Sequence, residues 1–165
     1  MLLRKSLDEA VVSDDCKVAN VCPIFKKCVK SQTSSYRPAS STSQVSKGIE
    51  SVLRDAIMSH LESNDLIQDS QHVFQKGRSC LTNLLVFLDK VTGYIEEGYK
   101  VNVICLAFAR AFDKVPHQRL LDKLKDHSIH GKVFNWIEAW LTNRWHSICI
   151  QGKFSNWTPV TSGVP

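Results

Sequence analysis

The chain has 165 residues, 43% of them hydrophobic, which suffices for one ordinary core and makes one domain the natural expectation. Its formal net charge of +5 suits a polyanionic partner, although most Lys and Arg have acids close by and read equally as solvated surface. No apolar run is long enough to cross a bilayer and "MLLRKSLDEA" is too short for a secretory signal, so the expectation is an intracellular protein, cytoplasmic or nuclear, with no membrane association and with reduced thiols.

Residues 1–48 read as loop and extended chain. "CVKSQTSSYRPASSTSQVSKG" is rich in Ser and Thr, and Pro38 holds Arg37 extended. The cysteines (Cys16, Cys22, Cys28, Cys80, Cys105, Cys149) are scattered, and the even gaps between the first three do not match zinc knuckles. Ile49, Val52, Leu53, Ile57 and Leu61 recur at three and four residues and predict one apolar helix face, with Ser51, Arg54, Asp55 and Glu62 turned to water. After "NDLIQDSQ" and the turn-prone "KGRS", a second helix presents a stripe of Leu81, Leu84, Leu85, Leu88, Val91 and Ile95, with Gly98 as its stop.

"VNVICLAF" has the β-branched density of a buried strand that packs on the preceding helices. Pro116 opens a third helix, where a missing amide is harmless, and Leu120, Leu121 and Leu124 give it a buried side. Val133, Trp136, Ile137, Trp140 and Leu141 mark a fourth, with both tryptophans in the core. His127 and His130 lack a nearby third ligand and read as solvent-facing. "WHSICIQGKFSNWTPVT" predicts a hairpin around Gly152. Helices, a central strand and a terminal hairpin indicate an α+β architecture.

Ordered blocks carry a resemblance: "KVANVCPIFKK", "YRPASSTS", "IESVLRDAI", "LIQDSQHVFQKGRSCLTNLL", "AFDKVPHQRLLDKL", "WIEAWLTNR" and "TSGVP". From about Cys16 to Pro165 the chain resembles the reverse transcriptase domain of a non-LTR (LINE-like) retrotransposon. The resemblance implies a partial right-hand polymerase fold, fingers plus incomplete palm, with helices packed on a small antiparallel sheet. Residues 1–48 would be an extended N-terminal segment, and 49–165 the fingers and partial palm. The implied partners are an RNA template and a DNA primer, held weakly, and the oligomeric state stays open.

That family joins nucleotides with two magnesium ions held by carboxylates. Its first carboxylate precedes the Phe of Asp-Phe-x-Lys-Ala-Phe-Asp, and here that position is Ala107. Asp113 lies six residues on, about 9 Å away if helical and roughly 20 Å if extended. It cannot replace a ligand bonded at about 2 Å, and the resemblance gives it a structural role, accepting amide hydrogen bonds at the next helix. The chain closes at Gly163-Val164-Pro165, where the family's "SGVPQG" helix would begin, ahead of its Ala-Asp-Asp carboxylates. No catalytic residue, metal ligand or cofactor is therefore expected.

Val73 and Gln75 replace a family glycine and arginine, Cys16 a tryptophan, and Cys28 a glycine, a scatter that unselected drift would produce. Phe112 aligns with the residue that packs against the incoming sugar, and equally reads as a buried aromatic at a strand end. Lys76 and Arg78, in a turn before a helix, and Arg37 suit phosphate contacts or plain surface charge. The expectation is a reverse transcriptase fragment that is catalytically inactive, the alternative being a non-catalytic, sequence-independent RNA/DNA-binding fragment.

Overall fold

A computed structural model describes residues 2–108 and 111–164. In chain order they form α1 (Leu2–Glu9), β1 (Val18–Phe25), β2 (Tyr36–Ser41), α2 (Gln44–Ser63), α3 (Cys80–Glu96), α4 (His117–Asp126), α5 (Gly131–Leu141), β3 (Arg144–Ile150), β4 (Lys153–Phe154) and β5 (Thr158–Val160). The chain divides into two compact units, Met1–Met58 with Arg110–Pro165, and Ser59–Ala109.

The first unit contains the sheet and the core. Strands run in the order β2-β1-β3-β4, and β5 also pairs with β3. The small sheet expected to be antiparallel is mixed, because β1 and β3 run parallel from Val18↔Trp145 to Val21↔Ile148. The N-terminal segment also departs from expectation: it contributes α1, β1 and β2. Two prolines lie opposite one another, Pro23↔Pro38, on a ladder whose outer strand is β2. An edge position tolerates a missing amide hydrogen. α1 is fixed by polar contacts to α5, with Trp136 Nε1 donating to Ser6 Oγ at 2.9 Å and Lys132 Nζ paired with Asp8 at 2.6 Å.

The core forms where the predicted helix faces converge. Val12, Cys16, Leu53, Leu121, Phe134, Trp136, Ile137 and Leu141 are buried together, with Leu120, Leu124, Val133 and Trp140 packed around them. Trp136 is 1% exposed and stacks on Trp140 at 6.0 Å between centroids, as the helical spacing predicted. The terminal hairpin turns at Gln151 and Gly152, both at positive φ (50° and 78°). That is the backbone a two-residue turn needs to match strand twist.

The second unit departs most from the sequence reading. α3 is well delimited: Ser79 and Thr82 make a reciprocal capping box at its start. At its end Gly98 N donates to Ile95 O and Tyr99 N to Tyr94 O, the paired bonds of a Schellman close around the expected stop. Its leucine stripe is not buried, however, and Leu81, Leu84, Leu85, Leu88 and Ile95 are all exposed. The expected strand "VNVICLAF" is irregular chain, with Leu106 90% and Phe108 92% exposed. A strand exists only when neighbours accept and donate its backbone hydrogen bonds. Among the described residues none pairs with this segment, so composition alone did not make it a strand.

Candidate functional site

The segment Ala111–Lys114 is a turn leading through Val115 and Pro116 into α4. A stretch some fifty residues downstream closes onto it. Gly163 N donates to Val115 O at 2.9 Å and Val164 N to Phe112 O at 3.1 Å. Ser162 Oγ reaches Asp113 O at 3.4 Å, and His117 Nε2 donates to Gly163 O at 2.8 Å. Gly163 adopts φ +88°, and a Cβ there would lie 2.6 Å from Asp113 O, so only glycine allows this approach. The block "AFDKVPH" and the block "TSGVP" are therefore one structural feature.

Phe112 and Asp113 stand exposed on this corner. Among the described residues the Asp113 carboxylate accepts no amide hydrogen bond; its backbone carbonyl is engaged instead, and Pro116, not an acid, occupies the α4 cap position. Pro38, Ser40, Ala19, Val21 and His146 border a cleft of about 390 Å³ on one sheet face, which Asp113 and Gly163 also line.

Arg144, at the start of β3, is 3% exposed. Its guanidinium lies 4.7 Å over the Trp140 ring and donates to the Trp140 carbonyl at 3.5 Å. Burial pushes its pKa below the ordinary value, with the charge of Glu50 acting in the opposite direction. Glu50 itself accepts from Ser46 Oγ at 2.6 Å. Arg144 is a buried cation with no ion-pair partner within 4 Å among the described residues.

Position 107 tests whether a magnesium ion fits. The ion requires hard oxygen ligands; Ala107 offers a methyl group and lies in the irregular, exposed segment. Among the described residues no three His, Cys, Asp or Glu side chains converge as a metal cluster. The residues at this position do not fit the ion.

The predicted phosphate-contacting cations differ in their surroundings. Arg78 clamps its own loop, with Nη2 at 3.0 Å from Asp69 Oδ1 and Nη1 bonded to the Asp69 and Gln71 carbonyls. Lys76 is exposed in the same loop. Arg37 is exposed on β2, opposite Ile24. It belongs to a group of cations the sequence reading passed over: Lys17, Lys26, Lys27, Lys30, Arg37 and Lys47, with no Asp or Glu between Asp15 and Glu50.

Lys26, Lys27 and Lys30 occupy the β1–β2 connection and are exposed, and none of the six is in an ion pair with a described residue. Aromatics brace the tip. Phe25 and Tyr36 meet edge to face at 5.6 Å, Lys30 Nζ lies 5.7 Å over Phe25, and Tyr36 Oη donates to Lys30 O. The acid-free interval was the available signal; averaging charge over the whole chain concealed it.

Comparison with known proteins adds identity to this geometry. Residues 26–165 match the family described as reverse transcriptase (RNA-dependent DNA polymerase). A probable RNA-directed DNA polymerase from transposon X-element of Drosophila melanogaster is 27% identical over 135 residues, 81% of this chain and 15% of that protein. A probable RNA-directed DNA polymerase from transposon BS of the same organism is 22% identical over 131 residues, 79% of this chain and 14% of that protein. The chain thus spans about one seventh of the length of the curated relatives it matches. Both relatives accord with the non-LTR origin expected from the ordered motifs. On the family match over 26–165, this chain belongs to the reverse transcriptase family.

Proposed function

We propose that this chain is reverse transcriptase sequence of a non-LTR retrotransposon that no longer joins nucleotides, and that its remaining capacity is sequence-independent binding of RNA or DNA. One observation carries the first half: Ala107 occupies the position at which the family places its first metal-binding carboxylate. Nucleotidyl transfer draws most of its catalysis from positioning and from charge neutralisation by the ions. A methyl group contributes neither, and Asp113 has the corner to itself without a ligand partner at 107. Primer extension on an RNA template with magnesium or manganese should give no product above a blank. Robust deoxynucleotide incorporation by the chain unaided would overturn this.

The second half has its own support in the β1–β2 hairpin. Six cations without an intervening acid, three of them on an exposed connection, form the electrostatic footprint of phosphate contact. Such contacts carry no base information, so the affinity is indifferent to sequence and falls steeply with salt. By the resemblance, Phe112 would pack against a nucleotide sugar, and Arg37, Lys76 and Arg78 would contact phosphates. No retention of an RNA or DNA strand at low salt would reject the binding reading.

A further inference from the structure

We infer that His117 is a positioning residue: by donating from Nε2 to the Gly163 carbonyl it locks the Ser162–Val164 segment onto the Phe112–Val115 corner, so that Phe112 is set in place from the far end of the unit. The bond is 2.8 Å and part-buried, and it joins residues 46 apart in sequence. A carbonyl oxygen can only accept, so the ring must carry a proton on Nε2, and it does so whether the imidazole is neutral in that tautomer or charged.

The corner needs such a lock. Ala111–Lys114 belongs to no ladder and no helix, and hydrogen bonds from the downstream segment tie it to the rest of the unit. Gly163 N and Val164 N bind the carbonyls of Val115 and Phe112, on either side of Asp113. The Gly163 carbonyl would otherwise be left over; His117, the first residue of α4, takes it up. Val164 packs against the core beyond, which anchors the clasp at its other end. Opening the His117 bond therefore loosens the Gly163 and Val164 amides, which hold Val115 and Phe112 respectively. The consequence for a nucleotide sugar rests on the role proposed for Phe112, whereas the clasp itself is read without any nucleotide.

Amide hydrogen exchange on the whole chain, followed residue by residue by NMR, tests it. In His117→Ala, the amides of Gly163 and Val164 should exchange roughly tenfold faster, the scale of one lost hydrogen bond, while Trp136 and Ile137 in α5 keep their rates. His117→Gln, whose side-chain amide reaches about as far as Nε2, should restore slow exchange; His117→Asn, one methylene shorter, should not. Unchanged rates in His117→Ala, an equal rise in α5, or no difference between Gln and Asn would each overturn the inference. If His117→Ala does not fold, the Gln and Asn pair carries the same decision.

Discussion

Salt dependence gives the sharpest measure of the β1–β2 hairpin. Lys26, Lys27, Lys30 and Arg37 are exposed and outside any ion pair among the described residues, so each can replace a counterion on a phosphate. For a single strand, four such contacts give a slope of log affinity against log salt of about −2.8, and a loss of ~50-fold between 50 and 200 mM. Removing the three lysines of the connection, as Lys26→Ser, Lys27→Ser and Lys30→Ser together, should reduce the slope to about −0.7.

Fluorescence anisotropy of a labelled single-stranded RNA of mixed sequence reads this directly. Arg54→Gln with Lys132→Gln is the control, since those cations sit 2.9 Å from Asp55 and 2.6 Å from Asp8 and are already neutralised. An unchanged slope in the triple variant, or an equal drop in the control, would refute the assignment of binding to the hairpin.

Three stability predictions follow from the core and its margins. Trp136→Ala removes the most buried large side chain and its bond to Ser6, and should cost about 3–5 kcal/mol in urea unfolding followed by circular dichroism; a loss under ~1 kcal/mol would mean the core is not centred there. Ser128 closes α4 at φ 60°, with Ser128 N bonded to Lys125 O and Ile129 N to Leu124 O, so Ser128→Gly should gain about 1 kcal/mol, and a lower melting temperature would contradict this. Arg144→Met exchanges a desolvated guanidinium for an apolar chain of similar length and should melt at the same temperature or higher; a loss above ~3 kcal/mol would show that its charge is needed where it lies.

What the sequence made legible was local chemistry confirmed by nearby residues. The Leu120–Leu121–Leu124 and Trp136–Ile137–Leu141 faces have helical spacing and meet each other, so their burial followed from periodicity. α3 closes at Gly98 through bonds from Gly98 to Ile95 and from Tyr99 to Tyr94, within reach of a sequence motif. What failed depended on distant partners. β1 lay in a segment read as loop and extended chain, yet it is the strand that joins β2 to β3, and its parallel pairing is with residues 127 positions later. The converse held at "VNVICLAF", whose β-branched composition was sound but whose ladder partner is missing among the described residues. At the candidate site, Ala107 was readable as a substitution in a motif, while His117 and Gly163 were not, because their roles arise only when "VPH" and "SGV" are brought together.

Chemistry and binding fail at different points in such a protein. Nucleotide joining requires two ions, and each ion requires its carboxylates, so a change from an acid to alanine at such a ligand position removes a step that no neighbouring cation can restore. Phosphate affinity is spread over several independent contacts, and losing any one of the four exposed hairpin cations would lower it by only one contact's share. The Phe112 corner is intermediate: hydrogen bonds from Ser162, Gly163, Val164 and His117 are among those that hold it, but position 163 admits only glycine. On the proposed reading, substitutions falling at random on such a sequence therefore extinguish catalysis first, then loosen the corner, and abolish binding last. On that ordering, the proposed state, an inactive centre beside an intact hairpin, is the one in which a decaying polymerase sequence would spend the longest time.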